Sequence, residues 1–484
     1  MNRWNNFATA FLSLGGVLCL ILVSFSIQRF TKMGPESFNP ITRIILPALT
    51  ALVFFGALQL RREYRLNIVI SVVSLIGSLY AAEAFLALRL VSVPQIAWWG
   101  VNERNRQEVL ALAQKFGVRF DARSRLQVLN DLSQKGIDAV PVISPAEILK
   151  RNPDNPDGAV NSAIRIGDTE VVPLAGISNR VTIFCNESGE YTVYKSDRRG
   201  FHNPDQVWFT EGVDIAALGD SFVQGGCVES QENFVSLVGK RYPATVNLGM
   251  AGHGPLSTLG TMREYLGVLK PKIVLWFYFE EAAFSFLEAE SASLLRHYIE
   301  KSFRQNLNDR QPEIDKALLQ YVQDQAAAEV ARQKAAQNRD TMSSRIRSSL
   351  DFSARLGTLR RYLGLVDGGK REGNRDILPL FRRILAEAND SARELNARLY
   401  FVYLPQWERY GNPKLAFQKR DAVLDLVRRL DIPIIDLHPV FQAHDDPLSL
   451  FPLRRMGHYT KEGHRLTAEL VLRSLSSQTQ LSAH

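Results

Sequence analysis

The architecture of this chain follows from one run of ten residues, VDIAALGDSF, which spans Val213 to Phe222. The mostly apolar first part of this run predicts a short strand that is buried on both faces of a sheet. Gly219 permits a tight turn after the strand, and Ser221 follows where a helix would begin. A serine at such a turn can present its hydroxyl group at the edge of the sheet, or it can simply cap the helix.

Four further apolar runs alternate with helical stretches downstream. They are Ala244–Leu248, Ile273–Phe279, Leu399–Leu404 and Ile432–Ile435. Strands that alternate with helices predict right-handed βαβ crossovers and a parallel sheet that is covered on both faces. We therefore predict an α/β fold. In such a fold, functional side chains lie on the loops beyond the carboxyl ends of the strands.

The first ninety residues have a different composition. Three segments of 25, 17 and 23 residues contain a single charged side chain, Glu83, and span residues 4–28, 44–60 and 66–88. A helix needs about 17–25 apolar residues to cross the hydrocarbon core of a bilayer. The segments predict a membrane anchor of three transmembrane helices over residues 1–90. A buried core hairpin or a signal peptide is the alternative, and the two later segments disfavour a signal peptide.

Basic residues beside these segments predict an orientation in the membrane. Arg3 and the short second loop, with Arg61, Arg62 and Arg65, place four positive charges on one side. Because basic loops tend to remain in the cytoplasm, the N-terminus and second loop are expected there. Three spans would then place the rest of the chain on the other side. We predict a multi-pass protein of the cytoplasmic membrane whose C-terminal domain is periplasmic or otherwise extracytoplasmic.

The remainder of the chain is predicted to have two parts. Residues 91–210 have the pattern of an auxiliary α+β region, including a hairpin between Val181–Phe184 and Tyr191–Tyr194. Residues 211–484 contain the α/β domain, with a helical insertion at about 290–370 that is rich in Ala, Gln, Arg and Glu. Cys185 and Cys227 would both lie outside the cytoplasm, where a disulfide can form. Whether these two cysteines pair is left open.

The composition excludes several classes of protein. Hydrophobic residues make up 46% of the 484 residues and charged residues 22%, which is typical of a folded chain. The net charge of +8 is small for this length, and no segment resembles a nucleic-acid-binding module. The sequence contains no phosphate-binding loop, no dinucleotide fingerprint and no Cys/His metal spacing. We expect no metal, no cofactor and no nucleic-acid partner, and the sequence does not indicate any protein partner.

Two more segments place functional groups at the same edge of the predicted sheet. The second strand run is followed by Gly252, five residues after Asn247, and glycine lets backbone N–H groups approach a bound group closely. An ordinary glycine-rich loop is the alternative there. His458 precedes the last predicted helix, so it can reach Ser221 and act as the base that a nucleophilic serine needs.

Together the three segments resemble the SGNH/GDSL hydrolase superfamily. Gly219-Asp220-Ser221-Phe222 is similar to the first block of the family, with Phe in place of the usual Leu. Gly252 matches the glycine of the second block, and His458, five residues before Gly463, matches the histidine of the last. The resemblance covers the chain from about residue 213 onward. The anchor and the segment Gly200–Pro204 resemble bacterial membrane-bound members.

This resemblance implies a flavodoxin-like parallel sheet of the SGNH type. It also implies that Ser221 is the nucleophile and His458 its general base. The backbone N–H groups of Ser221 and Gly252 would form part of an oxyanion hole.

Two positions depart from the pattern of the family. The third block normally supplies an Asn to the oxyanion hole, and Ala282 occupies that position here. The last block normally has an Asp three residues before the histidine, and Arg455 occupies that position. A backbone carbonyl or another acidic residue would then have to orient His458. The candidates for supporting roles are Asp220, Asn247 and Asp436, with Asp445 and Asp446 as further acids.

The predicted function is that of a membrane-anchored serine ester hydrolase. Its partners would be the membrane and an acyl ester of an envelope glycan or lipid. One alternative is an O-acyltransferase in which a sugar hydroxyl replaces water. The other is an inactive protein that keeps the fold and has a binding or assembly role.

Overall fold

The computed structural model describes residues 2–33, 45–89, 103–151, 160–210, 212–280, 282–339, 377–413, 419–455 and 457–481. The chain divides into two compact units. One contains the N-terminal helices up to residue 89, and the other contains the elements within residues 103–337 and 377–481.

The N-terminal unit contains α1 (Asn2–Met33), α2 (Leu46–Ala57) and α3 (Arg62–Arg89). Within α1 and α3, the segments Asn6–Ser24 and Glu63–Ala81 are long and apolar enough to cross a membrane. The 12 residues of α2 rise only about 18 Å, which is less than the roughly 30 Å of a hydrocarbon core. The described residues therefore contain two candidate spans, and the prediction of three transmembrane helices is not confirmed.

The N-terminal helices pack closely and expose apolar faces. A Cβ on Gly15 would lie 2.5 Å from the ring of Phe54, and one on Gly16 would lie 2.7 Å from the ring of Phe55. Small residues at such contacts let helices approach one another. Of the 26 exposed large hydrophobic side chains among the described residues, 20 lie between residues 4 and 80. Such outward apolar surface is expected of helices that face lipid.

The second unit begins with a region of short elements. They are α4 (Glu103–Lys115), α5 (Arg125–Gln134), β1 (Ala139–Pro141), α6 (Pro145–Ile148), β2 (Leu149–Arg151), β3 (Val160–Ser162), β4 (Arg165–Ile166), β5 (Thr169–Glu170), β6 (Val181–Ile183) and β7 (Val193–Lys195). Strand β6 pairs antiparallel with β7, with Thr182 opposite Tyr194, so the predicted hairpin is confirmed.

A five-stranded parallel sheet follows. Its strands are β8 (Ile215–Gly219), β9 (Thr245–Gly249), β10 (Ile273–Phe279), β11 (Arg398–Leu404) and β12 (Ile434–Asp436). Their spatial order is β9-β8-β10-β11-β12, and every pair is parallel. This is the 2-1-3-4-5 order of flavodoxin-like folds, which confirms the predicted sheet.

Helices connect these strands and cover both faces of the sheet. They are α7 (Ser221–Gln224), α8 (Phe234–Gly239), α9 (Pro255–Leu269), α10 (Ala282–Ser291), α11 (Gln311–Arg339), α12 (Leu378–Glu394), α13 (Glu408–Gly411), α14 (Arg420–Arg428), α15 (His438–Gln442) and α16 (Lys461–Leu481). Because side chains alternate along a strand, Ala216 and Leu218 of β8 pack in one core, with α9 and α12. Ile215 and Ala217 pack in the other, with α8 and α16.

The region before β8 shares the first of these cores. Buried residues such as Val140, Ile148 and Val172 belong to the same hydrophobic cluster as Leu218 and Leu259. This packing brings the β6–β7 hairpin into the same unit as the sheet. The boundary near residue 211 between an auxiliary region and an α/β domain stays a prediction.

The described part of the predicted insertion is helical. It contains a 3-10 helix at Leu294–Ile299 and the long helix α11. The rest of the predicted insertion, from residue 340 to about 370, lies outside the described residues.

Candidate active site

The turn between β8 and α7 places Ser221 at the carboxyl edge of the sheet. Gly219 has a φ of +154°, and a Cβ there would lie 3.0 Å from the carbonyl oxygen of Phe277, so the turn requires glycine. Asp220 caps the helix, because its Oδ1 accepts a hydrogen bond of 3.0 Å from the backbone N–H of Phe222. Ser221 is the first residue of the helix, and its side chain is free of this capping role.

His458 lies within hydrogen-bond distance of this serine. Its Nε2 is 2.7 Å from Ser221 Oγ, which is the geometry of a hydroxyl that donates to a neutral imidazole. The ring rests against Phe222, with centroids 4.8 Å apart. On another side it touches Gly226, where an added Cβ would lie 2.3 Å from the ring. The structure thus brings together two predicted residues that are 237 positions apart in the chain.

A carboxylate orients the other side of the histidine ring, and it comes from Glu187 in the β6–β7 hairpin. Its Oε1 is 2.9 Å from His458 Nδ1. Its Oε2 accepts a hydrogen bond of 2.7 Å from the backbone N–H of His458. The two bonds hold the ring and its backbone together, and they favour the tautomer with the proton on Nδ1. That tautomer leaves Nε2 free to accept the proton of Ser221.

Glu187 and His458 each shift the pKa of the other toward the charged form. Burial lowers the pKa of His458, but the charge and hydrogen bond of Glu187, with a smaller effect of Asp220, bring the net pKa above its ordinary value. Burial raises the pKa of Glu187, but His458 and Arg455 reverse that effect and the net pKa falls below its ordinary value. Glu187 is therefore ionised near neutral pH.

Sequence reasoning missed Glu187, since it lies in an Asn-Glu-Ser-Gly turn that precedes the first block of the family pattern. The available signal was the cysteine pair. Cys185 is two residues before Glu187, and Cys227 is six residues after Ser221. A bond between them would have placed an acidic residue beside the predicted nucleophile.

Acidic residues near the C-terminus have other partners. Asp436 forms an ion pair with Arg420 and accepts a hydrogen bond of 3.1 Å from the backbone N–H of His438. Asp446 pairs with Arg454. Neither carboxylate is hydrogen-bonded to His458 among the described residues. Arg455, at the position where the family has its acid, instead contributes positive charge near Glu187.

The second-block loop is hydrogen-bonded to the serine turn, because the backbone N–H of Met250 donates to the carbonyl of Gly219 over 3.1 Å. Gly252 has a φ of +77°, and a Cβ there would lie 2.9 Å from Cβ of Ser144. Among the described residues, the backbone N–H groups of Ser221 and Gly252 have no hydrogen-bond acceptor. Their role as oxyanion donors stays a prediction.

Two buried amide side chains hold this loop against α7. Asn247 donates from Nδ2 to the carbonyl of Val223 over 2.6 Å, and its Oδ1 accepts from the N–H of Gly249 over 2.9 Å. Gln224 accepts from the N–H of Ala251 over 2.8 Å. These bonds fix the second-block loop relative to the helix that carries the serine. Asn247 is thus a structural support, and it does not touch His458 among the described contacts.

The Gly200–Pro204 segment is hydrogen-bonded to both the serine helix α7 and the second-block strand β9. His202 stacks on Tyr194 with ring centroids 3.8 Å apart, and its Nδ1 is 2.7 Å from the carbonyl oxygen of Gln224. Burial lowers the pKa of His202 to about 4, so this ring is neutral. Asn203 exchanges two hydrogen bonds with the backbone of Asn247, at 2.7 and 2.8 Å. The segment therefore ties the serine helix to the second-block strand.

The third-block position has no side-chain donor. Ala282 begins α10 just beyond β10, and alanine cannot supply the amide that the family places there. The neighbouring Glu280 is fully buried, and it pairs with Arg409 and accepts a hydrogen bond of 2.7 Å from the N–H of Gln406. This part of the sheet edge is therefore occupied by a structural ion pair.

A disulfide lies directly beside the histidine. Cys185 and Cys227 are bonded, with Cα atoms 5.3 Å apart. The sulfur of Cys227 is 3.6 Å from Nδ1 of His458. One group of potential metal ligands is found among the described residues, and it consists of Cys185, Cys227 and His458. Because the two sulfurs are bonded to each other, they are not the thiolates that metal binding requires.

Comparison with known proteins finds similarity at the level of structure. No protein-family model and no curated protein matches the sequence. A member of the lipolytic protein G-D-S-L family from Veillonella parvula is 11% identical with a TM-score of 0.29, covering 54% of this chain and 97% of that one. Esterase EstA from Pseudoalteromonas is 11% identical with a TM-score of 0.28, covering 55% and 98%. A lipase/acylhydrolase from Enterococcus faecalis is 14% identical with a TM-score of 0.29, covering 55% and 96%.

These three proteins are named as a lipolytic protein, an esterase and a lipase/acylhydrolase. At such identities and TM-scores, we infer the activity of this chain from its own residues alone.

Proposed function

We propose that this chain is a membrane-anchored serine ester hydrolase that acts on O-acyl or lipid esters outside the cytoplasmic membrane. The observation that carries the proposal is a continuous line of hydrogen bonds from Ser221 through His458 to Glu187, with distances of 2.7 and 2.9 Å. A nucleophile, a base and an orienting acid in this order form the constellation that serine hydrolases use on unrelated folds.

The first half of the reaction would form an acyl-enzyme. Ser221 Oγ attacks the acyl carbonyl while Nε2 of His458 takes its proton. The negative charge on the carbonyl oxygen is then stabilised by the N–H groups of Ser221 and Gly252. The C–O bond to the alcohol breaks, and His458 returns the proton to the leaving alkoxide.

The second half repeats these steps with water. His458 removes a proton from a water molecule, whose oxygen attacks the acyl-serine. The intermediate collapses, the carboxylic acid leaves, and the proton returns to Ser221. The carboxylate of Glu187 stabilises the imidazolium in both halves without itself taking the proton.

Glu187 favours this activity over a purely binding role. In a hydrolase the pair of Glu187 and His458 keeps Nε2 basic and aimed at the serine. The absence of the third-block Asn means one oxyanion donor fewer, which costs about 10²–10³-fold in turnover in a well-studied case, and the backbone N–H groups of Ser221 and Gly252 remain as the proposed donors.

The location outside the cytoplasm has separate support. Two helices are long and apolar enough to cross a membrane, and the bond between Cys185 and Cys227 is of the kind that persists in oxidising compartments. A C-terminal reporter that fluoresces only in the cytoplasm should stay dark if the proposed topology is correct. A bright reporter would contradict the topology and leave the hydrolase proposal standing.

The activity is tested with a fluorophosphonate probe and a chromogenic acetyl ester on the full-length protein in detergent. We expect Ser221-dependent labelling, and acetate release without any added acceptor. Ser221→Ala should abolish both, whereas Ser133→Ala, at an exposed serine of α5, should abolish neither. Equal labelling of the wild-type protein and Ser221→Ala would refute the proposed function.

A further inference from the structure

We propose that the Cys185–Cys227 disulfide is a positioning element that holds Glu187 against His458, so that oxidation of these two cysteines switches the site on. This inference rests on the proposed hydrolase function. It assigns to the disulfide a role in the geometry of the reacting groups as well as in the stability of the fold.

The disulfide lies between the hairpin and the loop beside the histidine. Cys185 is two residues after the end of β6, and Glu187 is two residues further along the same turn. Cys227 lies beyond α7, and its sulfur is 3.6 Å from Nδ1 of His458. This is the same ring atom that is hydrogen-bonded to Glu187. The covalent link therefore joins the turn that carries the acid to the loop that lies against the base.

Few direct hydrogen bonds join that turn to the serine loop, because its bonds of 2.9 and 2.7 Å to the backbone of Asp121 run to a different segment. Ser188 donates to the carbonyl of Cys227 over 3.1 Å, and Thr192 donates to the carbonyl of Val228 over 3.3 Å. Neutral side-chain hydrogen bonds of this type each make only a modest net contribution to the stability of a fold. Ser188 is exposed, and Glu187 is only partly buried. The disulfide is the one covalent link between the hairpin and the serine loop among the described residues.

Reduction would change this geometry. A dithiol reductant breaks the S–S bond by way of a mixed disulfide. It transfers two electrons and leaves two protonated thiols, while the reductant itself is oxidised to a cyclic disulfide. Two sulfurs that are no longer bonded must move apart to van der Waals separation, and the hairpin turn moves with Cys185. A displacement of about 1 Å in a group that positions a catalytic residue can cost on the order of 10²-fold in rate.

The test compares rates of ester hydrolysis before and after dithiothreitol treatment of the folded full-length protein. The wild-type rate should fall about 10- to 100-fold and recover on re-oxidation. Glu187→Gln should already be slow, and reduction should change its rate less than about twofold, because effects that act through one interaction are not additive. The double variant Cys185→Ser/Cys227→Ser should be slow and insensitive to dithiothreitol.

If reduction lowers the Glu187→Gln rate by the wild-type factor, the disulfide does not act through Glu187 and the inference is overturned. Circular dichroism of the reduced wild-type protein serves as the folding control. A loss of helical signal that parallels the loss of rate would assign the disulfide a purely structural role and would also overturn the inference.

A measurement independent of activity separates this inference from the proposed function. In protein labelled with ¹⁵N-histidine, the Nδ1 proton of His458 should give a low-field resonance that disappears on reduction and in Glu187→Gln. If this resonance behaves as expected while Ser221 proves unreactive, the positioning role stands and the hydrolase proposal fails. If Ser221 is reactive but reduction leaves both resonance and rate unchanged, the positioning role fails alone.

Discussion

The serine turn and the hairpin turn both contribute to one site, but the protein holds them in different ways. The serine turn, Gly219–Gln224, follows a strand that is completely buried, and the backbone and side chains around it are packed on both faces of the sheet. The hairpin turn, Cys185–Tyr191, is mostly half-buried, and it is held by hydrogen bonds to the backbone of Asp121, by the bond from Ser188 to Cys227 and by a disulfide. The proposed nucleophile is therefore anchored to a core strand, whereas the proposed orienting acid lies on a turn whose covalent link to the serine loop can be reduced.

The largest effect on the rate should come from removal of His458, which is hydrogen-bonded to both the serine turn and the hairpin turn. His458→Ala should reduce the rate of ester hydrolysis by about 10⁴-fold or more, because Ser221 loses its base. The measurement is the initial rate on a chromogenic acetyl ester. His297→Ala, at a histidine whose side chain is about half exposed, is the control and should retain the wild-type rate. A His458→Ala rate within tenfold of wild type would show that another group acts as the base.

Removal of the Glu187 charge from the hairpin turn should have a smaller but still large effect on the rate of hydrolysis. Glu187→Gln keeps the shape of the side chain and removes its charge, and we expect a loss of about 10²–10⁴-fold in rate. Glu190→Gln changes an exposed acid of the same turn and should have no more than a twofold effect. If the two variants behave alike, the contact between Glu187 and His458 has no catalytic role.

Glu187→Gln should also shift the pH dependence of the hydrolysis rate. The base must be neutral, so the wild-type rate rises with pH through the pKa of His458, which lies above its ordinary value. Without the carboxylate of Glu187, burial dominates and lowers that pKa. The acid limb of the profile should therefore shift to lower pH in Glu187→Gln, while the plateau falls. A shift to higher pH would contradict this account of the electrostatics.

A side chain added at Gly226, next to the ring of His458, should have an intermediate effect on the rate of hydrolysis. A Cβ at Gly226 would lie 2.3 Å from the ring of His458 and would push it out of line with Ser221. We expect Gly226→Ala to lose about 10–100-fold in rate. Gly239→Ala is the matched control, because its nearest neighbour would be Cβ of Thr245 at 3.9 Å. Similar rates for the two variants would mean that the ring tolerates displacement.

The smallest effect on rate should come from Asp436. Its carboxylate pairs with Arg420 and caps the turn at His438, and it does not contact His458. Asp436→Asn should lower the free energy of unfolding by about 1 kcal/mol while changing the hydrolysis rate less than threefold. Denaturant titration measures the first quantity and the chromogenic ester the second. A large loss of rate without loss of stability would restore this residue as a candidate for orienting the base.

The sequence predicts well those features that depend on local patterns. Each of the five apolar runs became a strand of the parallel sheet, because a buried strand must be apolar on both faces. Ser221 and His458 could be predicted because strand ends of a parallel sheet share one edge. The predicted span over residues 44–60 is not confirmed, because the described helix α2 has 12 residues and freedom from charge does not by itself set the length of a helix.

Glu187 belongs to the features that no local pattern could predict. Its turn is polar, it precedes the sheet in sequence, and only the pairing of the hairpin with the serine loop brings it to the site. The family pattern pointed to the position of Arg455, and here a residue of opposite charge stands there while the acid comes from another element. A carboxylate lies beside Nδ1 of His458 in this structure, and it comes from a position that the order of the family pattern does not indicate.

The wide separation of Ser221 and His458 along the chain also has a consequence during synthesis. With 237 positions between them and translation at about 5–20 residues per second, the histidine leaves the ribosome roughly 10–50 s after the serine. During that interval the nascent chain carries the hydroxyl of Ser221 without the base that we propose for it, and an unassisted serine hydroxyl is a weak nucleophile. A chain stopped anywhere between the two residues would therefore keep the serine turn and lack its proposed reactivity.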